Sequence, residues 1–329
     1  MKVALIACSN GLGHVNRMLS LCQSLVARGA VPTIIAPIDS LRHLCKIHDY
    51  ELPEYINYKS NSSYMDWIDS KKNAWTKSSP NLDSYDIVVS DNLIEVLEFR
   101  SDTILSGSFF WHEALPSIPL YKKNKAIRLI KKYRPKMIAT KLFASDYLEE
   151  YTHISYVGIY SHTIPVFNNE LNRNNILIAC GKGGKLDYIL KQFIEKISNE
   201  ARAFNGLVYL EPKIYKSNMP YWIKPADFSS SMFSTIGAAI IRPGVGTVSD
   251  CIIHRIRMFM VYERENLEMQ SNVNKILEKK MGEFFYSIDS AWDDSVDFVK
   301  NNLWLNYSKQ KIFIDLDGAK QATKIILNR

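Results

Sequence analysis

VALIACSNGLGHVNRMLSLCQSLVARG, residues 3–29, carries the plan of the whole chain. An apolar run, Val3 to Cys8, is followed by a turn holding Gly11 and Gly13. An amphipathic segment begins at once and ends before Gly29. Six apolar residues bounded by a glycine turn fit a buried strand. Val15, Met18, Leu19, Leu21, Cys22, Leu25 and Val26 fit one broad face of a helix over 14–28. The unit is therefore strand, glycine turn, helix.

The theme recurs. "NILIACGKGGKLDYILKQFIEKI" (175–197) is again an apolar strand, a glycine turn and an amphipathic helix. Around these two units, short β-rich runs alternate with helical patterns. Strands are expected at 32–36, in "YDIVVSD" (85–91), within 102–113 and within 136–145, then near 206–210, 237–241 and 257–262. Such alternation implies parallel, doubly wound sheets. The polar stretch 160–175, broken by Pro165 and rich in asparagine, reads as a linker. The expected organisation is an N-terminal Rossmann-like domain over 1–160, a linker over 161–174, a second Rossmann-like domain over 175–305 and a closing helical segment over 306–329. Ligands of such sheets bind beyond the carboxyl ends of the strands.

Composition narrows the class. The chain has 329 residues, enough for two domains rather than one core. Apolar residues make up 47% and charged residues 23%, as in ordinary globular proteins. No apolar run reaches the roughly 18 residues of a membrane span, and the opening residues do not read as a signal peptide. The five cysteines, Cys8, Cys22, Cys45, Cys180 and Cys251, are scattered without a Cys-x-x-Cys pair. That pattern fits reduced thiols in a cytoplasm better than a disulfide frame or a zinc site. The net charge of +7 suggests an anionic partner.

Three glycine turns stand at comparable places: Asn10-Gly11-Leu12-Gly13, Gly181-Lys182-Gly183-Gly184 and Pro243-Gly244-Val245-Gly246-Thr247. Any one of them is explained by the sterics of a tight turn alone. Together, one bearing a lysine and one a threonine, they look like phosphate cradles, where backbone N–H groups and the positive end of a helix face an anion. A dinucleotide site is one reading: Gly11-x-Gly13-x-x-Asn16 lacks its third glycine, and Asp39 stands about where a ribose contact would.

Residues 241–282 carry a longer pattern, "IRPGVGTVSDCIIHRIRMFMVYERENLEMQSNVNKILEKKMG". Through Arg242, Gly244, Gly246, Thr247, Ser249, Asp250, Glu268, Gln270, Asn274 and Gly282 it resembles the donor-binding region of GT-B glycosyltransferases, the bacterial peptidoglycan GlcNAc transferase group in particular. "GLGH" (11–14), "CGKGG" (180–184) and the closing "LDGAKQATKIIL" (316–327) are similar to further parts of that family. The N-terminal "GLGHVNR" resembles equally the nucleotide-sugar hydrolases of nonulosonic acid synthesis. Asp250 departs from the family's usual glutamate, and "VYERENLEMQ" from its donor loop.

The resemblance implies an α/β GT-B architecture, two Rossmann-like domains facing across a cleft. It implies an inverting, metal-independent glycosyltransferase of cell-envelope biogenesis with no cofactor. The donor would be a UDP-, CMP- or dTDP-linked sugar, and the acceptor a glycan, glycolipid or protein. Donor contacts would come from Gly11, Gly13, Lys182, Gly183, Gly184, Arg242, Gly244, Gly246, Thr247, Asp250, Glu268 and Gln270. His14 is the first candidate for the catalytic base, with Asp91 and Glu113 as alternatives; Asn10 and His112 would stand on the acceptor side. Each position has a plainer reading as well: a first-turn polar residue for His14, a helix cap near Leu93 for Asp91, an aromatic core edge for His112 and Glu113, surface charge for Lys182 and Arg242. A hydrolase or epimerase on the same fold, and a non-catalytic nucleotide-sugar or NAD-binding protein, remain as alternatives.

One segment lies outside these motifs. "YKKNKAIRLIKKYRPK" (121–136) holds eight basic residues and no acid. It reads as a solvated basic face, a surface for anionic lipid at the inner side of a membrane, or a site for an anionic acceptor. Nucleic acid fits less well, because only Tyr121 and Tyr133 are available for stacking.

Overall fold

The computed structural model describes residues 1–9, 12–58, 81–114, 118–162, 172–180, 185–262, 266–310 and 313–328. The chain divides into two compact units, Met1–His162 with Ile314–Arg329, and Thr163–Phe313. Asn10, Gly11, Gly181, Lys182, Gly183, Gly184 and most of the expected linker lie outside the described residues.

The first unit is a seven-stranded parallel sheet. Its elements run β1 Lys2–Ala7, α1 Leu12–Val26, β2 Val31–Ala36, α2 Ile38–His48, β3 Tyr55–Asn57, β4 Ile87–Asp91, β5 Ile104–Ser106, α3 Trp111–Ala114, α4 Leu120–Tyr133, β6 Lys136–Thr140, α5 Tyr147–Tyr151 and β7 His153–Val157. The strand order is β3-β2-β1-β4-β5-β6-β7. Val3 to Ala7 and Ile87 to Asp91 are buried throughout, as central strands covered on both faces must be. Helix α1 buries Val15, Met18, Leu19, Leu21, Cys22 and Leu25 against this sheet. Val26, expected on that face, is 54% exposed: it closes the helix where the chain turns away through Gly29. Asp91 caps no helix. It is the last residue of β4, and the segment after it is a short 3-10 turn, Ile94–Glu98, begun by Leu93 without a side-chain cap.

The second unit repeats the plan with six parallel strands. It comprises β8 Asn175–Ala179, α6 Lys185–Asn199, β9 Val208–Leu210, β10 Ile223–Pro225, α7 Ser230–Thr235, β11 Ile236–Ile241, α8 Val245–Ile253, β12 Arg257–Met260, α9 Leu267–Glu278, β13 Gly282–Phe284, α10 Ile288–Lys300 and α11 Trp304–Ser308. The order is β10-β9-β8-β11-β12-β13. The core gathers Leu190, Phe193, Ile194 and Trp292 from α6 and α10 against Ile176, Ile178, Ala238 and Ile240 of the central strands.

The chain then returns. Helix α12, Gly318–Leu327, packs on α1 and β7 of the first unit. Gly158 N donates to Gln321 Oε1 at 2.8 Å, and Thr323 Oγ1 to Ser24 Oγ at 2.8 Å. All five cysteines are buried thiols.

Candidate functional site

Both sheets reverse direction of winding at one place. In the first unit it lies between β1 and β4, and in the second between β8 and β11. Crevices at the carboxyl ends of strands form at such points. The side chains there are the candidates.

In the first unit, register pairs Ala7 with Asp91 and Asp91 with Ser106. Asp91 is fully buried at the sheet tip. Two residues one helical turn apart on α1 reach it. Arg17 Nη1 donates to Asp91 Oδ1 at 2.8 Å, and His14 Nδ1 lies 3.5 Å from Asp91 Oδ2. Positions i and i+3 share a helix face, so the spacing in "HVNR" is what aims both at one carboxylate. Neither His14 Nδ1 nor Asp91 Oδ2 has another hydrogen-bond partner among the described residues. A buried carboxylate facing Nδ1 favours the tautomer with the proton there. Nε2 then keeps its lone pair, the form a general base needs. His14 keeps 12% of its side chain exposed.

The surroundings fix this arrangement. The Trp111 ring lies 6.0 Å from the His14 ring. The Arg17 guanidinium stands 6.0 Å from the Tyr160 ring, and burial pushes the Tyr160 phenol far above its ordinary range. Tyr58 donates its hydroxyl to the Ala7 carbonyl at the end of β1. Gly107, φ 153°, lets the chain leave β5 beside Asp91: a Cβ there would collide with Asn92 Oδ1.

Asn16, between His14 and Arg17 in sequence, is gripped from outside the sheet. His48 Nε2 meets its side-chain oxygen at 2.9 Å and His162 Nε2 its backbone oxygen at 3.0 Å. Both acceptors are carbonyls, so both imidazoles donate from Nε2. The two rings stack at 4.0 Å. Burial pushes His48 down to about 4. Burial, and then the neighbouring His48, push His162 down to about 3.

Two further candidates of the first unit, His112 and Glu113, follow Trp111 on the short helix α3. His112 is buried and stacks on Phe110 at 5.5 Å, with its titration pushed down to about 4 by burial and then by Lys123. Glu113 is pushed up to about 7 by burial, and its charged neighbours are Lys123 and Glu150. The sequence offers Glu113 as an alternative base. On the short helix α3 it follows Trp111 by two residues, and that spacing turns it away from the side Trp111 presents to His14. Gly13 lies in the first turn of α1 with open space where a Cβ would go. Asp39 is an exposed residue in the first turn of α2, beyond the tip of β2.

In the second unit, β11 ends in Ile241, paired with Ala179. Arg242, Pro243 and Gly244 lead into α8, with Gly244 as its N-cap. The Gly244 φ of −73° suits any residue, and a Cβ there would meet nothing within 4 Å. Neither backbone nor packing calls for glycine at this position. Its effect, among the described residues, is to leave the first turn of α8 partly exposed. Gly246 and Thr247 lie in the first turn of that helix, both partly exposed. Asp250 follows one turn later, and burial pushes its carboxyl up to about 7. Asn272 of α9, buried, donates from Nδ2 to the Pro243 carbonyl at 2.9 Å and so fixes the turn.

The sequence places Glu268 and Gln270 in a loop. They stand instead in the first turns of α9, whose N-cap Asn266 accepts from Met269 N at 3.1 Å. Two residues apart on a helix point to different sides, so the pair cannot grip one sugar together. Asn274 is exposed on the same helix. Gly282 has a packing role: a Cβ there would stand 2.5 Å from the Met258 carbonyl. The Asp-x-Asp triplet Asp315-Leu316-Asp317, a pattern that can hold a divalent metal beside a donor, serves the start of α12. Asp315 accepts from Asp317 N at 2.8 Å and from Gln321, and Asp317 pairs with Lys320 at 2.9 Å.

Arg17, Trp111, Tyr160 and Asn272 do not stand out in the sequence as site residues. Arg17 alone leaves a signal, its i+3 spacing from His14. The others reach their sites through tertiary packing.

By sequence, the chain matches no protein-family model and no curated protein. By structure it is similar to glycosyltransferases. The Streptomyces sp. SF2575 glycosyltransferase SsfS6, complexed with thymidine diphosphate, superposes with a TM-score of 0.63 at 12% identity, over 100% of both chains. Glycosyltransferase VinC in complex with dTDP gives 0.61 at 10%, over 100% of this chain and 99% of its own. LpCGTa in complex with UDP gives 0.63 at 10%, over 98% and 94%. The fold is GT-B. Its two Rossmann-like domains are the two units described above.

Proposed function

We propose that this protein is an inverting glycosyltransferase that takes its sugar from a nucleoside-diphosphate donor, with His14 as the general base. The observation that carries the reading is the His14–Asp91–Arg17 cluster at the switch point of the first sheet. The UDP and thymidine diphosphate held by the similar structures support the donor class.

The chemistry follows from the cluster. Nε2 of His14 takes the proton of an acceptor hydroxyl as its oxygen attacks the anomeric carbon. The new C–O bond forms while the bond from that carbon to the phosphate oxygen breaks, and the nucleoside diphosphate leaves with the electron pair. One displacement inverts the anomeric centre. Asp91 stabilises the imidazolium that results, and Arg17 holds Asp91 in place. In the second unit the partly exposed N-terminus of α8, with Thr247 and Arg242, would receive the leaving phosphates, and Asp250 the ribose hydroxyls. The acceptor is a hydroxyl of a glycan, glycolipid or protein.

The test is sugar transfer from UDP- and dTDP-linked donors, read by nucleotide release with and without acceptor. Release should depend on acceptor. His14→Ala should lower the rate about 10²–10⁴-fold while leaving nucleotide binding unchanged. Binding is read separately by thermal shift with UDP, dTDP and CMP, where ligand at 100 times its Kd adds about 2.7 kcal/mol. Free sugar released at full rate without acceptor would identify a hydrolase on this fold. Full activity in His14→Ala would remove the assigned base.

A further inference from the structure

Helix α4 faces two ways. Its inner side, with Ala126, Leu129, Ile130 and Tyr133, packs on Ile94, Leu97 and Met137. Two of the eight basic residues of 121–136 belong to that inner side: Lys122 is buried, and Lys125 pairs with Glu98 at 2.7 Å. Lys123 is partly buried near Glu113 and Glu150. Arg128, Lys131, Lys132, Arg134 and Lys136 remain, all exposed. No acid occurs from Leu120 through Lys136. At the N-terminal end of the same outer side, Leu120 is 69% and Tyr121 66% exposed. Among the described residues, no helix is long and apolar enough to cross a membrane.

A helix with large apolar side chains at one end of its solvent side and cations along the rest has the chemistry of an interfacial helix. The apolar groups enter the boundary of headgroups and acyl chains, and the cations meet anionic headgroups. We infer that α4 is a docking surface for a bilayer rich in anionic lipid, with Leu120 and Tyr121 inserted and the Arg128–Lys136 cations on the headgroups. Charge complementarity selects an anionic partner. The two exposed apolar side chains select a bilayer over RNA or a soluble polyanion, since neither of those has an apolar phase for a leucine to enter. The inference is independent of the reaction proposed above and goes beyond it: an enzyme held there would work on acceptors at the membrane surface.

The test uses the full chain and vesicles of phosphatidylcholine with or without phosphatidylglycerol, read by sedimentation. The protein should sediment with the anionic vesicles at low salt, stay in solution with neutral ones, and be released at high salt. Each surface cation is worth about fivefold in partition, so Lys131→Glu/Lys132→Glu should lose more than about 25-fold. The charge-matched control on the second unit, Lys279→Glu/Lys300→Glu, should lose much less. Leu120→Ser should weaken binding with every charge intact. All four positions altered in the charge pairs are exposed, and circular dichroism checks the fold of each variant. Four results would overturn the inference: no sedimentation at low salt; equal loss in both double variants; no effect of Leu120→Ser; or binding of single-stranded RNA through the same lysines without binding to vesicles. Transfer to a soluble acceptor in the absence of lipid should be unchanged in Lys131→Glu/Lys132→Glu, so failure here is separable from failure of the proposed reaction.

Discussion

Ala7 beside Asp91 in the first sheet and Ala179 beside Ile241 in the second occupy the same topological place. In one the strand after the switch point ends in a buried carboxylate, and in the other in isoleucine. The segments beyond the two strands differ too. The first sheet continues into a 3-10 turn, while the second runs through Pro243 and Gly244 into a full α-helix. One tip therefore offers titratable side chains and the other backbone N–H groups. The same winding thus ends in different chemistry, a buried carboxylate at one tip and a helix N-terminus at the other.

The two aspartates separate the tips most sharply. Asp91→Ala leaves Arg17 nearly buried without its partner. Removing one member of a buried pair costs about 3–5 kcal/mol, so chemical denaturation should show a loss of that size together with the loss of activity. Asp250→Asn should act in the opposite direction. Its carboxyl stands at about 7 in the folded chain against an ordinary value near 3.8. An acid with a raised folded value binds its proton more tightly when folded. No penalty exists below about 4, and stability falls by about 1.4 kcal/mol per pH unit from there to about 7. Asp250→Asn should flatten that slope and raise Tm at pH 8. Equal destabilisation by both changes would erase the distinction between the two tips.

A second contrast lies in how the helices bearing these residues are held. Helix α1 is fixed through Asn16 by two neutral imidazoles, His48 and His162. Their folded values, about 4 and about 3, lie below the ordinary 6.5. The unfolded chain binds those protons first, so their contribution is whole above about 6.5 and is lost as pH falls towards 3–4. Each imidazole gives a slope of up to about 1.4 kcal/mol per pH unit, of sign opposite to that of Asp250. In a His48→Gln/His162→Gln variant the acid-side loss of Tm should shrink. An unchanged acid limb would mean that these rings are solvated.

The central strands are legible because they are buried on both faces and read as apolar runs: β1, β4, β8 and β11 stand within a residue or two of those runs. Tyr55–Asn57, His153–Val157, Ile223–Pro225 and Gly282–Phe284 leave no such mark. They lie at the sheet edges, partly exposed, and carry no apolar run. In the candidate site, His14 and Asp91 are each visible as a polar residue near a strand tip. Their meeting is not. Arg17 and Asp91 stand 74 positions apart, His14 further still, and only the strand order brings them together. Glu268 and Gln270 depart from the expected loop for a local reason: Asn266 caps α9 and pulls them into a helix. Asn272 gives no sign at all, since a buried asparagine in a helical pattern looks like any polar surface position.

That asparagine supplies the smallest and most discriminating test. Its bond to the Pro243 carbonyl ties α9 to the turn before α8. Asn272→Ala leaves the carbonyl buried and unmet, at a cost of about 1–3 kcal/mol. The second unit should tolerate that and stay folded. If the turn receives phosphate through the α8 N-terminus, nucleotide affinity should fall several-fold while the rate at saturating donor stays near normal, because His14 and Asp91 lie in the other sheet. A fall in that saturated rate with unchanged affinity would place chemistry, rather than binding, at the second tip.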